Sequence, residues 1–472
     1  MSATIGGTDT ASVPQVADAA DSPSEPKPKK PKVTSQEAER GDGYSSRKEK
    51  SLHPGSYADP EFRAWRNMDS LPTPPQHPTT AKRKVAMLIG YKGTKYGGFQ
   101  INPGQRTLQS EIELALYTAG LIRKENFGYP QKYGWSTSGR TDKGVHAAAQ
   151  TISCKIEMAP DSTMGSLREK LNEVLEGTDI TILGVERTTR MFCAKKARDR
   201  VRYRYLIPSF LLDPNIRDIL QSTVKYPANG QPSKVPVSPG ELKALWPQLQ
   251  SIRSTDAQRE LLASTLSMYS GTHRFHNFTQ GVSSSEGRAK RYIVSFIVHD
   301  PIVHNGLEWI PTAVLGQSFL LHQIRKMVGC AVAIVRGVAP PNFLETTAFN
   351  RNVRHPIPTA PAQGLFLEMS YYELYNDMKN KRNPDHGAPD LVWHTTEGPL
   401  YERWAQCVHD ISTHMMEKEE ECGNFVQYLY TQTFLVDQST QQFPERMTQN
   451  EEKRKAAENA AEDLETKEAT SE

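Results

Sequence analysis

The segment WSTSGRTDKGVHAAAQ, Trp135 to Gln150, decides how the rest of the chain must be arranged. It holds one acid, Asp142, with Arg140 two residues before it and Lys143 directly after. Ser138, Gly139 and Gly144 predict a tight loop rather than a helix or strand. Alternation from Val145 through Gln150 to Ser153 predicts a strand leaving that loop. Opposite charge nearby favours an ionised carboxylate. An ionised Asp on a rigid loop can be a nucleophile or a base. A solvated surface turn explains the same residues, so spacing alone leaves both readings open.

Outward from this segment, composition divides the chain. Its 472 residues have room for two or three domains. The hydrophobic fraction of 37% is low for a wholly folded chain, and the two ends account for it. Residues 1–81 are rich in Pro, Ser, Thr and charge with little periodicity, and disorder is expected there. Within them PKPKKPKV, Pro26 to Val33, resembles a short nuclear-import signal, or is a charged patch of a tail. Asp9, Asp18, Asp21, Glu25 and Glu37 argue against a mitochondrial transit peptide, which would be Arg-rich and acid-poor. Residues 1–81 hold 10 basic and 11 acidic side chains, and residues 444–472 hold 5 and 9, so the middle carries +8 while the whole chain carries +3. A basic centre fits a polyanionic partner. Cys154, Cys193, Cys330, Cys407 and Cys422 show no paired spacing, which predicts free thiols in a reducing compartment. No apolar run reaches membrane-spanning length and no signal-peptide core is present, so a soluble intracellular protein is expected.

Order is expected from Lys82. Lys84 to Tyr91 reads as a buried strand. The loop KGTKYGGFQINPGQRT follows, with Tyr96 and Phe99, and Thr107 can cap the next helix. The loop lacks the closing Gly-Lys-Ser/Thr of a P-loop. A strand near Thr151 to Ile156, a helix from about Ser162 to Glu176 and a strand Ile180 to Val185 come next. Arg200, Arg202 and Arg204 then alternate with Val201, Tyr203 and Tyr205, giving one cationic and one aromatic face. Such a strand can meet phosphates and stack an unpaired base, or can be a core strand with a charged outer face. Residues 212–238 read as a proline-rich, loop-like insertion, followed by helical patterns at 239–249 and 257–269. His273 and His276 lie in GTHRFHNFT. Their spacing alone is weak evidence for a metal, and packing or polar contacts to RNA fit better. Strands are expected at 293–299 and 307–315. QSFLLHQIRKMVGCAVAIVRG, Gln317 to Gly337, reads as a helix throughout. In it Arg325 is flanked by Leu321, Val328 and Val332. It must snorkel or find a buried anion, and Asp142 would serve. Gln363 to Glu368 starts a last strand, and helical patterns return at 401–420 and 424–434.

The string Gly139 to Ala147, GRTDKGVHA, resembles the catalytic motif of the TruA family of tRNA pseudouridine synthases. The likeness extends over roughly residues 83–376. It includes Tyr91, Gly93, Tyr96, Gly98, Gln100 and Asn102 in the first loop, and Phe192, Ala194, Arg202 (or Arg200), Tyr203 and Tyr205 around the aromatic strand. The GTHRFHNFT segment resembles the eukaryotic pseudouridylate synthase 1 branch. The resemblance implies an α+β pseudouridine synthase fold. That fold has two related halves of mixed or antiparallel sheet, flanked by helices around a central basic cleft, plus a C-terminal helical extension. On this reading residues 82–210 and 211–376 are the halves and 377–443 the extension, between the tails 1–81 and 444–472. The resemblance also implies conversion of uridine to pseudouridine in tRNA, around the anticodon stem, with small nuclear RNA or mRNA as further targets. Asp142 is the implied nucleophile or base, Tyr203 the ring that stacks on the target base, and Arg325 the partner of Asp142. Arg140, Lys143, Arg202, Tyr96, His273 and Lys326 are the expected RNA contacts. No cofactor, no metal and no membrane are expected. A monomer in the nucleus is expected, with a mitochondrial pool. Two rival readings are a non-catalytic RNA-binding protein on the same fold and a metal-dependent nuclease or glycosidase. The latter needs clustered carboxylates, and no second acid stands at suitable spacing near Asp142.

Overall fold

Charged Lys82 and Arg83 precede seven consecutive buried residues, and this run forms β1 (Ala81–Tyr91) in the computed structural model. The structure describes residues 80–102, 104–224, 237–382 and 387–431, together with Leu71 and Thr73. The import-like run at Pro26 to Val33 and the acidic tail 444–472 lie outside the described residues. After β1 come α1 (Leu108–Thr118), β2 (Ser136–Thr137), β3 (His146–Met158), α2 (Met164–Val174) and β4 (Ile180–Arg187). Thr107 caps α1 as expected: its hydroxyl accepts from the Ser110 amide, while the Ser110 hydroxyl accepts from the Thr107 amide. Next come α3 (Ala194–Ala197), β5 (Arg200–Pro208), α4 (Ile216–Thr223), α5 (Pro239–Ser251) and α6 (Asp256–Ser267). Then follow β6 (Gly271–Arg274), β7 (Lys290–Val298), β8 (Ile302–His304), β9 (Leu307–Gly316), α7 (Gln323–Val335) and β10 (Leu365–Tyr371). The described chain ends in α8 (Glu373–Arg382), α9 (Gly398–Cys422) and a helix, α10, at 424–431.

The strands join in one mixed sheet, in the order β4-β1-β3-β10-β5-β9-β7-β6, with β2 on β3 and β8 on β9. β10 runs parallel to β3 and antiparallel to β5, so it bridges the strand that leaves the Asp142 loop and the strand that carries Tyr203. Tyr203 pairs with Leu367, and Leu367 pairs with Ala147. A single row across the sheet therefore runs from Tyr203 to a point five residues after Asp142.

Helices cover both faces. Val85, Met87 and Ile89 pack with residues of α1 and α2, while Leu206, Val314 and Phe296 share a core with α5, α6 and α7. Ala86, Leu88 and Leu183, pointing the other way from β1 and β4, meet Trp393 and the start of α9. Among the described residues no helix is long and apolar enough to cross a membrane. None of the five cysteines is bridged.

Two expectations need correction. The segment expected to be loop-like holds α4, whose Ile216 and Leu220 are one turn apart and buried; residues 225–236 of it lie outside the described residues. The helix expected from Gln317 begins only at Gln323. Tertiary partners hold the approach to the helix, and one of them takes the Leu321 carbonyl that an earlier start would need. The Gln317 amide donates to the Tyr292 carbonyl, the Thr279 hydroxyl donates to the Leu321 carbonyl, and the Leu320 amide donates to the Gln323 side chain. His322, at the junction, is in the left-handed region with φ 61°.

Candidate active site

The Asp142 loop is tied down on both sides of the acid. The Ser138 amide donates to the Thr151 carbonyl at 2.8 Å. Gln150 Nε2 donates to Thr137 Oγ1 at 2.6 Å and to the Gly139 carbonyl at 2.5 Å. The Thr141 carbonyl accepts from the Phe99 amide at 3.1 Å, and its hydroxyl meets buried Tyr91 OH at 2.8 Å. Past the acid, the Val145 amide donates to the Asp142 carbonyl at 3.1 Å, and Gly144 in this turn has φ 79°. Glycine takes up that conformation without steric cost. Gly93 presses against the same turn: a Cβ there would lie 2.2 Å from the Val145 carbonyl oxygen. The Gly93 amide donates to His146 Nδ1 at 3.1 Å, which leaves the ring proton on Nε2. Burial, helped by the neighbouring His414 and Lys92, pushes His146 down to about 3, so it stays a neutral strut.

Held this way, the Asp142 side chain is 54% exposed and free to meet a substrate. Tyr203 lies within its electrostatic range. Burial raises the Tyr203 phenol, Arg198 opposes this, and the charge of Asp142 adds to the rise. The Tyr203 ring is held edge-on against Phe319, with centroids 5.5 Å apart at 88°. Arg325 is also in range. Burial lowers its pKa, and Tyr205 and Asp142 pull it back. Its Nε donates to the Ala360 carbonyl at 2.6 Å. The direct Arg325–Asp142 ion pair expected from the sequence is not made; Arg325 gives its Nε to a carbonyl, and its charge reaches the acid through space. Among the described residues the basic side chain at pairing distance from Asp142 is His322, whose Nε2 lies 3.9 Å from Oδ2 and which carries charge only when protonated. Burial, then Arg325, lowers the His322 pKa against the pull of Asp142.

The other expected contacts divide. Arg140 and Lys143 are exposed beside Asp142. Arg202 is not free for phosphate: its Nε meets Glu368 at 2.8 Å, and Arg204 Nη2 meets the other carboxylate oxygen at 2.6 Å. Glu368 is 1% exposed and sits in a β-bulge of β10, which turns an extra side chain toward the arginine face. Arg200 pairs with Asp199 and Glu373. The cationic face of β5 is thus neutralised inside the protein. Tyr96 is buried, accepts from the Asp179 amide at 3.3 Å and lies under Arg106, so it packs in the core. His273 stacks on Phe349 at 4.4 Å and shares a hydrogen bond with the Ser270 carbonyl, and His276 bonds the Val353 carbonyl. Lys326 is 7% exposed, and burial followed by Arg354 lowers its pKa.

Sequence reasoning missed two residues. His322 stands three residues before Arg325, and its polarity directly after Phe319, Leu320 and Leu321 is the available signal. Arg198 donates to the Ser138 carbonyl at 2.7 Å and to the Gln317 carbonyl at 3.4 Å, which ties the Asp142 loop to the approach of α7.

Comparison with known proteins gives the same family. Residues 266–373 match the family model described as tRNA pseudouridine synthase. The chain is 35% identical over 298 residues to the pseudouridylate synthase 1 homolog of Mus musculus, covering 62% of each. It is 32% identical over 371 residues to the tRNA pseudouridine synthase 1 of Candida albicans, covering 64% of this chain and 59% of the relative. To the tRNA pseudouridine(27/28) synthase of Saccharomyces cerevisiae it is 35% identical over 323 residues, covering 61% of this chain and 84% of the relative. The chain belongs to the tRNA pseudouridine synthase family. Its matches span about three fifths of the mouse and Candida relatives. The family model covers β7, β9, α7 and β10, and so includes His322, Arg325 and Glu368, while the Asp142 loop and Tyr203 lie before it.

Proposed function

We propose that this chain isomerises uridine to pseudouridine in tRNA, with Asp142 as the reacting carboxylate. The observation that carries the reading is the exposed Asp142 on a doubly tied loop, with Tyr203, Arg325 and His322 converging on it. In the reaction the N1–C1′ bond breaks, the uracil turns, and a C5–C1′ bond forms. A proton leaves C5 and N1 ends protonated, so atoms balance without a further reactant. A paired uridine hides these atoms and must first be flipped out of its stem. Asp142 supplies the nucleophilic or basic oxygen. Tyr203, steadied by Phe319, offers its ring to the extruded base. Arg325 stabilises negative charge in the partly buried site. Exposed Arg140 and Lys143 meet the backbone on either side.

The yeast relative's name specifies tRNA positions 27/28, which supports an anticodon-stem target for this chain as well. Small nuclear RNA and mRNA are proposed as further substrates. A monomer, resident in the nucleus through Pro26 to Val33 with a mitochondrial pool, completes the reading. The deciding experiment is release of tritium from tRNA carrying 5-tritiated uridine. Stoichiometric release with formation of pseudouridine is expected. RNA binding with no release would favour a non-catalytic RNA-binding protein. Mapping pseudouridine in RNA from cells lacking the protein would identify the targets, light scattering would report the oligomeric state, and imaging of a Lys29→Ala/Lys30→Ala variant would test import.

A further inference from the structure

A cleft of about 750 Å³ opens between the end of β4, α3 and α8. Its walls are apolar in part, with Phe192 and Tyr375, but its rim is cationic: Arg187, Arg190, Lys196 and Arg382 line it. These four are exposed and make no ion pair among the described residues. They differ in this from Arg200, Arg202 and Arg204, which internal carboxylates neutralise. Asp199 is the one carboxylate among the lining residues, and it is engaged by Arg200 and by the Leu374 amide. Arg198 joins the cleft to the candidate active site: it lines the cleft and donates to the Ser138 carbonyl of the Asp142 loop.

We infer that this cleft holds the phosphodiester backbone of the substrate RNA beyond the flipped uridine. Unneutralised cations around a cleft that Arg198 ties to the Asp142 loop fit a polyanion continuous with the substrate. Bound phosphates release condensed counterions, so each cation engaged steepens the salt dependence of binding. The cleft touches no reacting atom; it sets affinity and register and leaves the chemical step alone. This inference rests on the RNA-modifying reading above.

The test measures tRNA affinity against salt, and KM and kcat by tritium release, for the full chain. The variants are Arg190→Ala, Lys196→Ala, Arg382→Ala and their triple combination, with exposed Lys243→Ala on α5 as the control. Each cleft variant is expected to flatten the logarithmic salt slope by about 0.7 to 0.9. The triple variant should raise KM by about tenfold or more, with kcat at saturating tRNA unchanged, and Lys243→Ala should change neither. Salt slopes equal to wild type in all three variants would overturn the inference. So would a loss confined to kcat, which would assign these cations to chemistry. A wild-type chain that binds no tRNA would bring down the RNA-modifying reading itself, a result separable from both.

Discussion

His322 Nε2 stands 3.9 Å from Asp142 Oδ2, and its backbone is left-handed, with φ 61°. A non-glycine residue rarely holds this conformation unless its surroundings enforce it. Here the Gln317 and Leu321 backbone groups are held by Tyr292 and Thr279, and α7 begins only after His322, whose imidazole lies beside the acid. Backbone ease and side-chain placement are therefore opposed at this position. His322→Gly should relieve the backbone by about 1 kcal/mol while lowering turnover about tenfold, a loss near 1.4 kcal/mol in the barrier. Urea unfolding and tritium release on the same protein give both numbers. Unchanged turnover would remove His322 from the site.

Gly93 and Gly144 hold the same turn by different physics. At Gly93 an added Cβ meets the Val145 carbonyl oxygen at 2.2 Å, whereas at Gly144 nothing lies within 4 Å and only the φ of 79° resists. Gly93→Ala should therefore displace the loop, destabilising the fold by about 1–3 kcal/mol and lowering kcat. Gly144→Ala should cost about 1–2 kcal/mol with a smaller effect on kcat. Equal kcat in the two variants would argue against a loop whose position matters to the reaction.

His146 links acidity to stability. Its value falls from 6.5 to about 3 on burial, so the unfolded chain binds its proton more readily. Its contribution is complete above about pH 6.5 and is lost as pH falls toward 3. Asn in its place could still accept from the Gly93 amide without titrating. Between pH 6.5 and 5 the wild type should lose about 2 kcal/mol more than His146→Asn, read from urea midpoints. Parallel curves would show that His146 does not stay neutral in the fold.

Much of the site is legible in sequence where local chemistry decides it. The Asp142 loop follows from its glycines, β5 from its alternation and the α1 cap from Thr107. What escapes depends on partners distant in the chain. Arg202 and Arg204 look free until Glu368, about 160 residues on, reaches them through a bulge that no alternation pattern shows. Tyr96 is expected as an RNA contact in a basic loop, yet it bonds the Asp179 amide and lies under Arg106. Periodicity identifies the need of Arg325 for a partner and the family resemblance implies Asp142, but the Ala360 carbonyl that accepts from its Nε comes from a segment with no regular pattern. The late start of α7 follows from hydrogen bonds to other strands and loops, which outweigh the helical preference of residues 317–322.

The most direct measurement is tritium release from 5-tritiated uridine tRNA by Asp142→Asn, alongside its tRNA affinity. The substitution keeps the shape of an exposed side chain and removes its charge, so folding and binding should be retained. Turnover is expected to fall by at least about a thousandfold, with affinity within about threefold of wild type. Wild-type turnover from the Asp142→Asn variant would contradict a reacting carboxylate at this position and with it the proposed chemistry.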